Sequence, residues 1–182
     1  MTCRPEYVKE SSDPKEVVAC IEERFGEDVQ NLELREYKGG LEDAVQYHLL
    51  WLKVSRERFL ELVDALREFD FLHFQIMSGN DDGDVVTLNY HVALFREAGK
   101  GERLGACVSV EVPKTDLVMP SLWERIPGVE YSEREMREML GIDFDGLPNK
   151  ALVFLPEDWN EDIKPWRRDE TGPSEADVRE LS

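Results

Sequence analysis

The sequence predicts an α+β fold: a mainly antiparallel sheet with helices packed on one side, followed by an extended C-terminal arm. Three observations carry this. The stretches Val85 to Phe95 and Leu104 to Val112 place apolar residues at every second position, the period of a strand with one buried face. Three other stretches pair apolar residues at helical spacing with start or stop signals. Beyond Pro156 the apolar periodicity ends, so residues 1–155 read as a body and 156–182 as an arm without a core of its own.

The first helix is expected from Pro14 to Phe25. Asp13 is placed to cap it, Pro14 suits its first turn, Glu16 completes a capping-box pattern and Gly26 stops it. Val17, Val18, Ile21 and Phe25 form its apolar stripe. A strand follows at Leu32 to Tyr37, ended by Gly39 and Gly40. In Gln46 to Val54, His48, Leu50, Leu52 and Val54 share one face and Tyr47, Leu49 and Trp51 the other, a pattern expected of a strand covered on both sides. Ser55 is the expected cap of a second helix running to Glu68, with Phe59, Leu62, Val63, Leu66 and Phe69 inward.

Phe71 to Met77 and Val85 to Phe95 form a hairpin around the turn SGNDDG. Val86, Leu88, Tyr90, Val92 and Leu94 share one face of the second strand; Leu104, Ala106, Val108, Val110 and Val112 repeat the pattern in the next. After a loop containing Trp123, Ser132 is the expected cap of a third helix. Glu135 completes its capping box, Tyr131 and Met136 its hydrophobic staple, and Gly141 its stop. The apolar run after Pro148 reads as a short buried strand.

Composition narrows function. The 182 residues fit one domain with an arm, and a body of this size buries roughly 70% of its unfolded surface, so folding needs no disulfide or metal. The formal net charge of −18, from 40 acidic and 22 basic residues, repels phosphate backbones and anionic lipid, which argues against nucleic-acid and direct membrane-surface binding. Cys3, Cys20 and Cys107 are scattered and odd in number, the usage of a reducing compartment. No apolar run approaches the ~18 residues of a membrane span, and the N-terminus lacks a signal-peptide core.

The chemistry-bearing residues do not assemble into a recognisable catalytic or metal-binding set. His48, His73 and His91 lie on different expected strands without the spacing that puts two imidazoles on one helix face. His48 reads as a core histidine bonded to a neighbour, and a Cys107–His91 pair is the alternative nucleophilic arrangement. Around Asn80 to Asp84 a calcium loop would lack its leading Asp and closing Glu, so that segment reads as a solvated turn. Three separated cysteines cannot hold an iron–sulfur cluster. In the arm, Trp159 and Trp166 lie near Arg167 and Arg168, residue types that dominate protein–protein hot spots. They point to docking on a partner; wrapping back over the chain's own sheet is the alternative, and an arm can do both along its length.

Several motifs occur together. Ser132-Glu133-Arg134-Glu135 is followed by Gly141-Ile142-Asp143-Phe144-Asp145-Gly146-Leu147-Pro148, then Leu155-Pro156-Glu157-Asp158-Trp159 and Pro165-Trp166-Arg167-Arg168-Asp169. This order resembles the 30-kilodalton (C) subunit of respiratory complex I and its counterparts in energy-converting membrane-bound hydrogenases, closely over the last third of the chain. Leu147 departs from the family's usual His and Trp166 from its usual Leu, and the family's aspartate segment after the second helix is indistinct. These departures favour a hydrogenase-type or sulfur-metabolism complex over the NADH-linked enzyme.

The resemblance implies a non-catalytic subunit of a peripheral arm, on the cytoplasmic side of the membrane and held there through its complex. It implies no cofactor in this chain, with iron–sulfur clusters and a possible nickel–iron centre in partner subunits. The implied partners are the large 49-kilodalton-type subunit and other peripheral-arm subunits. The partner-binding residues it implies are Glu133, Arg134 and Glu135 on the helix, Gly141, Phe144, Gly146 and Pro148 in the turn, and Trp159, Trp166, Arg167, Arg168 and Asp169 in the arm. A freestanding acidic adaptor is the competing reading from a different class.

Overall fold

A computed structural model describes residues 7–40 and 44–177 of the chain. It is α+β, with a mixed five-stranded sheet in the order β1-β2-β5-β4-β3: β1 Val29–Gly39, β2 Val45–Val54, β3 His73–Asp81, β4 Val85–Leu94 and β5 Leu104–Pro113. β1 and β2 are antiparallel. Across β4 and β5, Cys107 faces His91 and Ser109 donates to Asn89, so these strands also run in opposite directions. β2 and β5 are parallel, from His48 opposite Leu104 to Lys53 opposite Ser109. Two compact units are formed, one from residues of Met1–Ile76 and Asn89–Val110, the other from residues of Met77–Leu88 and Glu111–Ser182.

In the first unit, helix α1 (Pro14–Phe25) starts where its signals predict. The Asp13 carboxylate accepts the Lys15 N–H at 2.9 Å, and Gly26 follows the last turn. Val17, Ile21 and Phe25 are buried, as are Phe59, Leu62, Val63 and Leu66 of helix α2 (Phe59–Arg67) and Leu50, Leu52 and Val54 of β2. The Ser55 cap does not form. A 3₁₀ turn, Arg56–Arg58, precedes α2, and the Arg58 N–H bonds to the Ser55 carbonyl at 3.2 Å. The tighter turn satisfies that donor with the backbone carbonyl in place of the hydroxyl. Nor is β2 covered on both faces: Tyr47 is exposed and Leu49 and Trp51 are half-buried, with the Arg35 guanidinium 5.2 Å from the Trp51 ring centre.

Asp70 follows the second helix. It is buried, and its two oxygens accept the N–H groups of Val8 at 2.9 Å and Phe95 at 2.6 Å. Phe95 has φ 60°, a left-handed conformation unfavourable for a bulky residue, and the Asp70 carboxylate holds it there.

In the second unit, β6 (Val118–Pro120) and β7 (Asp143–Asp145) pair in parallel, and helix α3 spans Glu130–Leu140. The Ser132 capping box and the Tyr131–Met136 staple are absent. A 3₁₀ turn opened by Pro127 runs directly into α3, placing Ser132 inside the helix and leaving Tyr131 66% exposed. Gly141 ends α3 in the left-handed conformation expected of it, φ 80°. The buried strand expected after Pro148 is also absent. That run carries no ladder, and Phe154 is 64% exposed. β3 continues to Asp81, so the connection to β4 is only Asp82–Asp84, closed by the Asp82 N–H on the Val85 carbonyl at 3.0 Å.

Gly79 on β3 lies where a Cβ would run into the Leu140 and Met136 side chains of α3. Gly79→Val should therefore cost ~1–3 kcal/mol by overpacking. The unfolding midpoint should fall by roughly 2–4 °C for each kcal/mol. Thermal denaturation followed by circular dichroism checks this.

Candidate docking face

The segment after Pro148 has no partner strand, so its backbone groups must be satisfied otherwise. Helix α3 does this with side chains. Arg134 donates from Nε to the Ala151 carbonyl at 2.8 Å and from Nη2 to that of Leu152 at 3.0 Å. Arg137 donates to the Lys150 carbonyl at 3.0 Å. Glu138, one turn beyond Arg134, accepts the N–H groups of Val153 at 2.7 Å and Phe154 at 2.9 Å. Spacings of three and four put these groups on neighbouring positions of one helix surface. The clamp fixes the backbone from Lys150 up to the Phe154 N–H while the Phe154 ring remains in solvent. Tyr131 lies on the same stripe of α3, 5.2 Å from the Arg134 guanidinium.

The arm is held at a second point. The Trp166 N–H donates to the Met139 carbonyl at 3.0 Å, and Arg167 Nη1 to that of Leu140 at 3.2 Å. Arg167 also meets Asp169 Oδ2 at 2.6 Å and Asp81 Oδ2 at 3.5 Å, while Lys114 Nζ lies 2.6 Å from both Asp81 Oδ1 and Asp169 Oδ2. Arg168 adds its backbone N–H to Asp81 at 2.8 Å. Two cations and two carboxylates thus close a largely buried cluster. Burial alone would raise the Asp81 carboxyl, but the bonds from Lys114, Arg168 and Gly83 outweigh it and hold it below the ordinary value. Arg167, then Lys114 and Thr171, hold Asp169 far below the usual carboxylate range. Lys114 is drawn down by burial, yet its bonds to Asp169 and Asp81 leave it raised.

Glu133 has the opposite character. It is fully buried, accepting the Ser121 hydroxyl at 2.5 Å and the Leu122 N–H at 2.8 Å. Burial pushes its carboxyl up from 4.5 to about 7 against those two bonds. Glu135 is half-buried, raised by burial and then by Glu138.

The structure separates the residues of the sequence motifs. Glu133, Arg134 and Phe144 are buried within the chain, so Glu133 and Phe144 offer no side-chain surface. Gly146, with φ 86°, and Pro148 lie on an exposed turn. Trp159 is half-buried and its indole N–H donates to the Ile163 carbonyl at 3.0 Å. Arg167 turns inward, Arg168 is exposed and Asp169 is half-buried, while Trp166 stands 43% exposed. The turn containing Asn80 to Asp84 is not wholly solvated, because Asp81 is only 3% exposed. Asp81, Lys114 and Phe154 escaped the sequence reading: nothing in their local pattern distinguishes an acid or base that finds a distant partner, or an apolar residue that stays out.

Elsewhere, Cys107 Sγ comes within 4.0 Å of His91 Nε2, but burial pushes the thiol up and keeps it protonated. His48 is half-buried with the Glu36 carboxylate 4.0 Å away, not a core histidine. It borders a recess of about 360 Å³ that also includes Ser11, Lys100 and Glu102. No group of three or more His, Cys, Asp or Glu among the described residues is placed to hold a metal.

Glu133 makes stability pH-dependent with a definite sign. The fold favours its protonated form, so this contribution is fully present below 4.5 and is lost as pH rises through about 7. Glu133→Gln keeps the shape and removes the titration. Between pH 5 and pH 8 the parent chain should lose ~3 kcal/mol more than the variant. Urea titrations of both at the two pH values read this difference.

Residues 52–176 match the family described as respiratory-chain NADH dehydrogenase, 30 Kd subunit. The membrane-bound hydrogenase subunit beta of Pyrococcus furiosus is 37% identical over 131 residues, covering 71% of this chain and 75% of that one. Formate hydrogenlyase subunit 5 of Escherichia coli is 32% identical over 108 residues, 55% of this chain but 18% of that longer protein. A chain in the structure of the membrane-bound sulfane sulfur reductase, an archaeal respiratory membrane complex, has the same fold. It aligns with a TM-score of 0.61 at 16% identity, over 89% of this chain and 86% of that one. Among the described residues no helix is long and apolar enough to cross a membrane. Matched over most of its length and carrying the family's motifs in order, this chain belongs to the 30-kilodalton subunit family of the respiratory-chain NADH dehydrogenase.

Proposed function

We propose that the chain is a non-catalytic assembly subunit in the peripheral arm of a complex I-like membrane-bound oxidoreductase, of the hydrogenase or sulfane sulfur reductase type. It docks on a large 49-kilodalton-type subunit and supports electron transfer coupled to ion translocation. The observation that carries this is the exposure of Phe154 and Trp166, at 64% and 43%, on backbone bonded to helix α3, through the Glu138 carboxylate and the Met139 carbonyl respectively. Large rings held in place at the surface are the anchors that hot spots use. The similarity to a hydrogenase beta subunit favours this type of complex over the NADH:quinone type.

The E. coli relative supports the choice of partner. There the related stretch is a small part of a longer formate hydrogenlyase subunit, so it is covalently joined to the rest of that subunit. The partner of this chain corresponds to such a remainder. Iron–sulfur clusters, and nickel–iron where the complex is a hydrogenase, reside in the partner subunits and none in this chain. Attachment to the cytoplasmic side of the membrane is indirect, through the complex.

Single substitutions test docking better than truncation, because cutting at Trp159 would also remove Arg167 and Asp169 from the buried cluster. Trp166→Ala and Phe154→Ala should each weaken association with the co-purifying large subunit by ~2 kcal/mol, about thirtyfold. The melting temperature of the free chain should change little. Pull-down from the native complex and titration with the isolated large subunit measure this; undiminished association in both variants would refute the reading.

A further inference from the structure

We propose that Asp81, a buried residue with no surface of its own to offer a partner, is a positioning residue for docking: through the cluster with Lys114, Arg167 and Asp169 it holds Trp166 in its outward pose. The inference rests on the docking reading above and adds to it the device that sets the anchor.

Trp166 sits inside a closed knuckle of the arm. The Lys164 N–H bonds to the Thr171 carbonyl at 2.7 Å, and the Asp169 carboxylate accepts both the N–H of Thr171 at 3.1 Å and its hydroxyl at 2.6 Å. These bonds shape the knuckle but do not fasten it to the rest of the unit. The fastenings are the Trp166 backbone N–H on Met139, Arg167 on Leu140, Lys114 on Asp169, and the Arg167 guanidinium and Arg168 N–H on Asp81. Asp81 takes part in two of them, from Arg167 and the Arg168 backbone, and also orients Lys114 toward Asp169; its side chain is 1% exposed.

Without the Asp81 charge, Lys114 and Arg167 would share only Asp169, and two cations in a buried space would drive the knuckle away. The indole would then have to be ordered at the moment of binding, which weakens association without removing any contact to the partner. Asp81 reaches the binding event through Trp166, not through an interface of its own.

A double-mutant cycle tests this with the full-length chain and the large subunit isolated from the native complex. Asp81→Asn should weaken association about tenfold in the parent chain and add almost nothing in the Trp166→Ala background. Circular dichroism and melting confirm that each variant is folded at the assay temperature. If Asp81→Asn fails to fold, Lys114→Gln, at a partly exposed site in the same cluster, takes its place in the cycle. Weakening by Trp166→Ala together with an absent or fully additive effect of the cluster variant overturns the positioning role alone. Unchanged association of Trp166→Ala overturns this inference, and the docking reading falls with it when Phe154→Ala is undiminished as well.

Discussion

A peptide segment without a neighbouring strand must still find partners for its N–H and C=O groups, and residues 150–154 meet that requirement through one helix. Arg134 and Glu138 carry opposite charges a turn apart on α3. Between them they bind four backbone groups, two carbonyls and two N–H groups. Arg137 supplies a fifth. Charge-assisted bonds of this kind are stronger than those of a strand ladder, and they come from one rigid source. The segment is therefore ordered without being covered, which is how a large aromatic ring stays in water on a fixed stem.

This explains why the motif helix carries so much charge on residues that are out of solvent. Glu133, Arg134 and Glu138 are all buried, each engaged with backbone or a hydroxyl. The acidic excess of the chain as a whole is a separate matter of its solvated surface. The interior uses both signs: Asp81 and Asp169 stand against Lys114 and Arg167 in matched numbers. Breaking such a set is costlier than the pairs themselves are favourable, because it strands a charge away from water. A buried set of this kind acts as a constraint on geometry more than as a source of stability.

Much of the fold was legible in the sequence because its signals are local. The alternation in Leu104 to Val112, the Asp13–Pro14 start and the Gly141 stop are each decided within a few residues, and each stands as read. The failures are equally physical. Ser132 and Glu135 look like a capping box, but Pro127 starts the chain turning earlier and Glu133 is claimed by Ser121 and Leu122. The apolar run 151–155 has a strand's composition, but its backbone is taken by side chains seventeen and more residues away in some cases, beyond any local pattern. In the arm, the motifs mark one continuous segment. They could not separate Trp166, which faces outward, from Arg167 beside it, which faces in, because neighbouring residues on an irregular arm share no period.

The parallel contact between β2 and β5 has a bearing on how this chain reaches its native state. β1 and β2 are close in sequence and can zip together early, and the turn at Asp82–Asp84 lets β3 and β4 do likewise. His48 and Leu104, by contrast, meet only after α2 and the whole second hairpin have been accommodated between them. Closing so long a loop precedes the reward of its contacts, so joining these two pieces is the slow event. Until it happens, the facing backbone edges of β2 and β5 are unpaired, and the nascent polypeptide is most vulnerable to edge-to-edge aggregation in that interval.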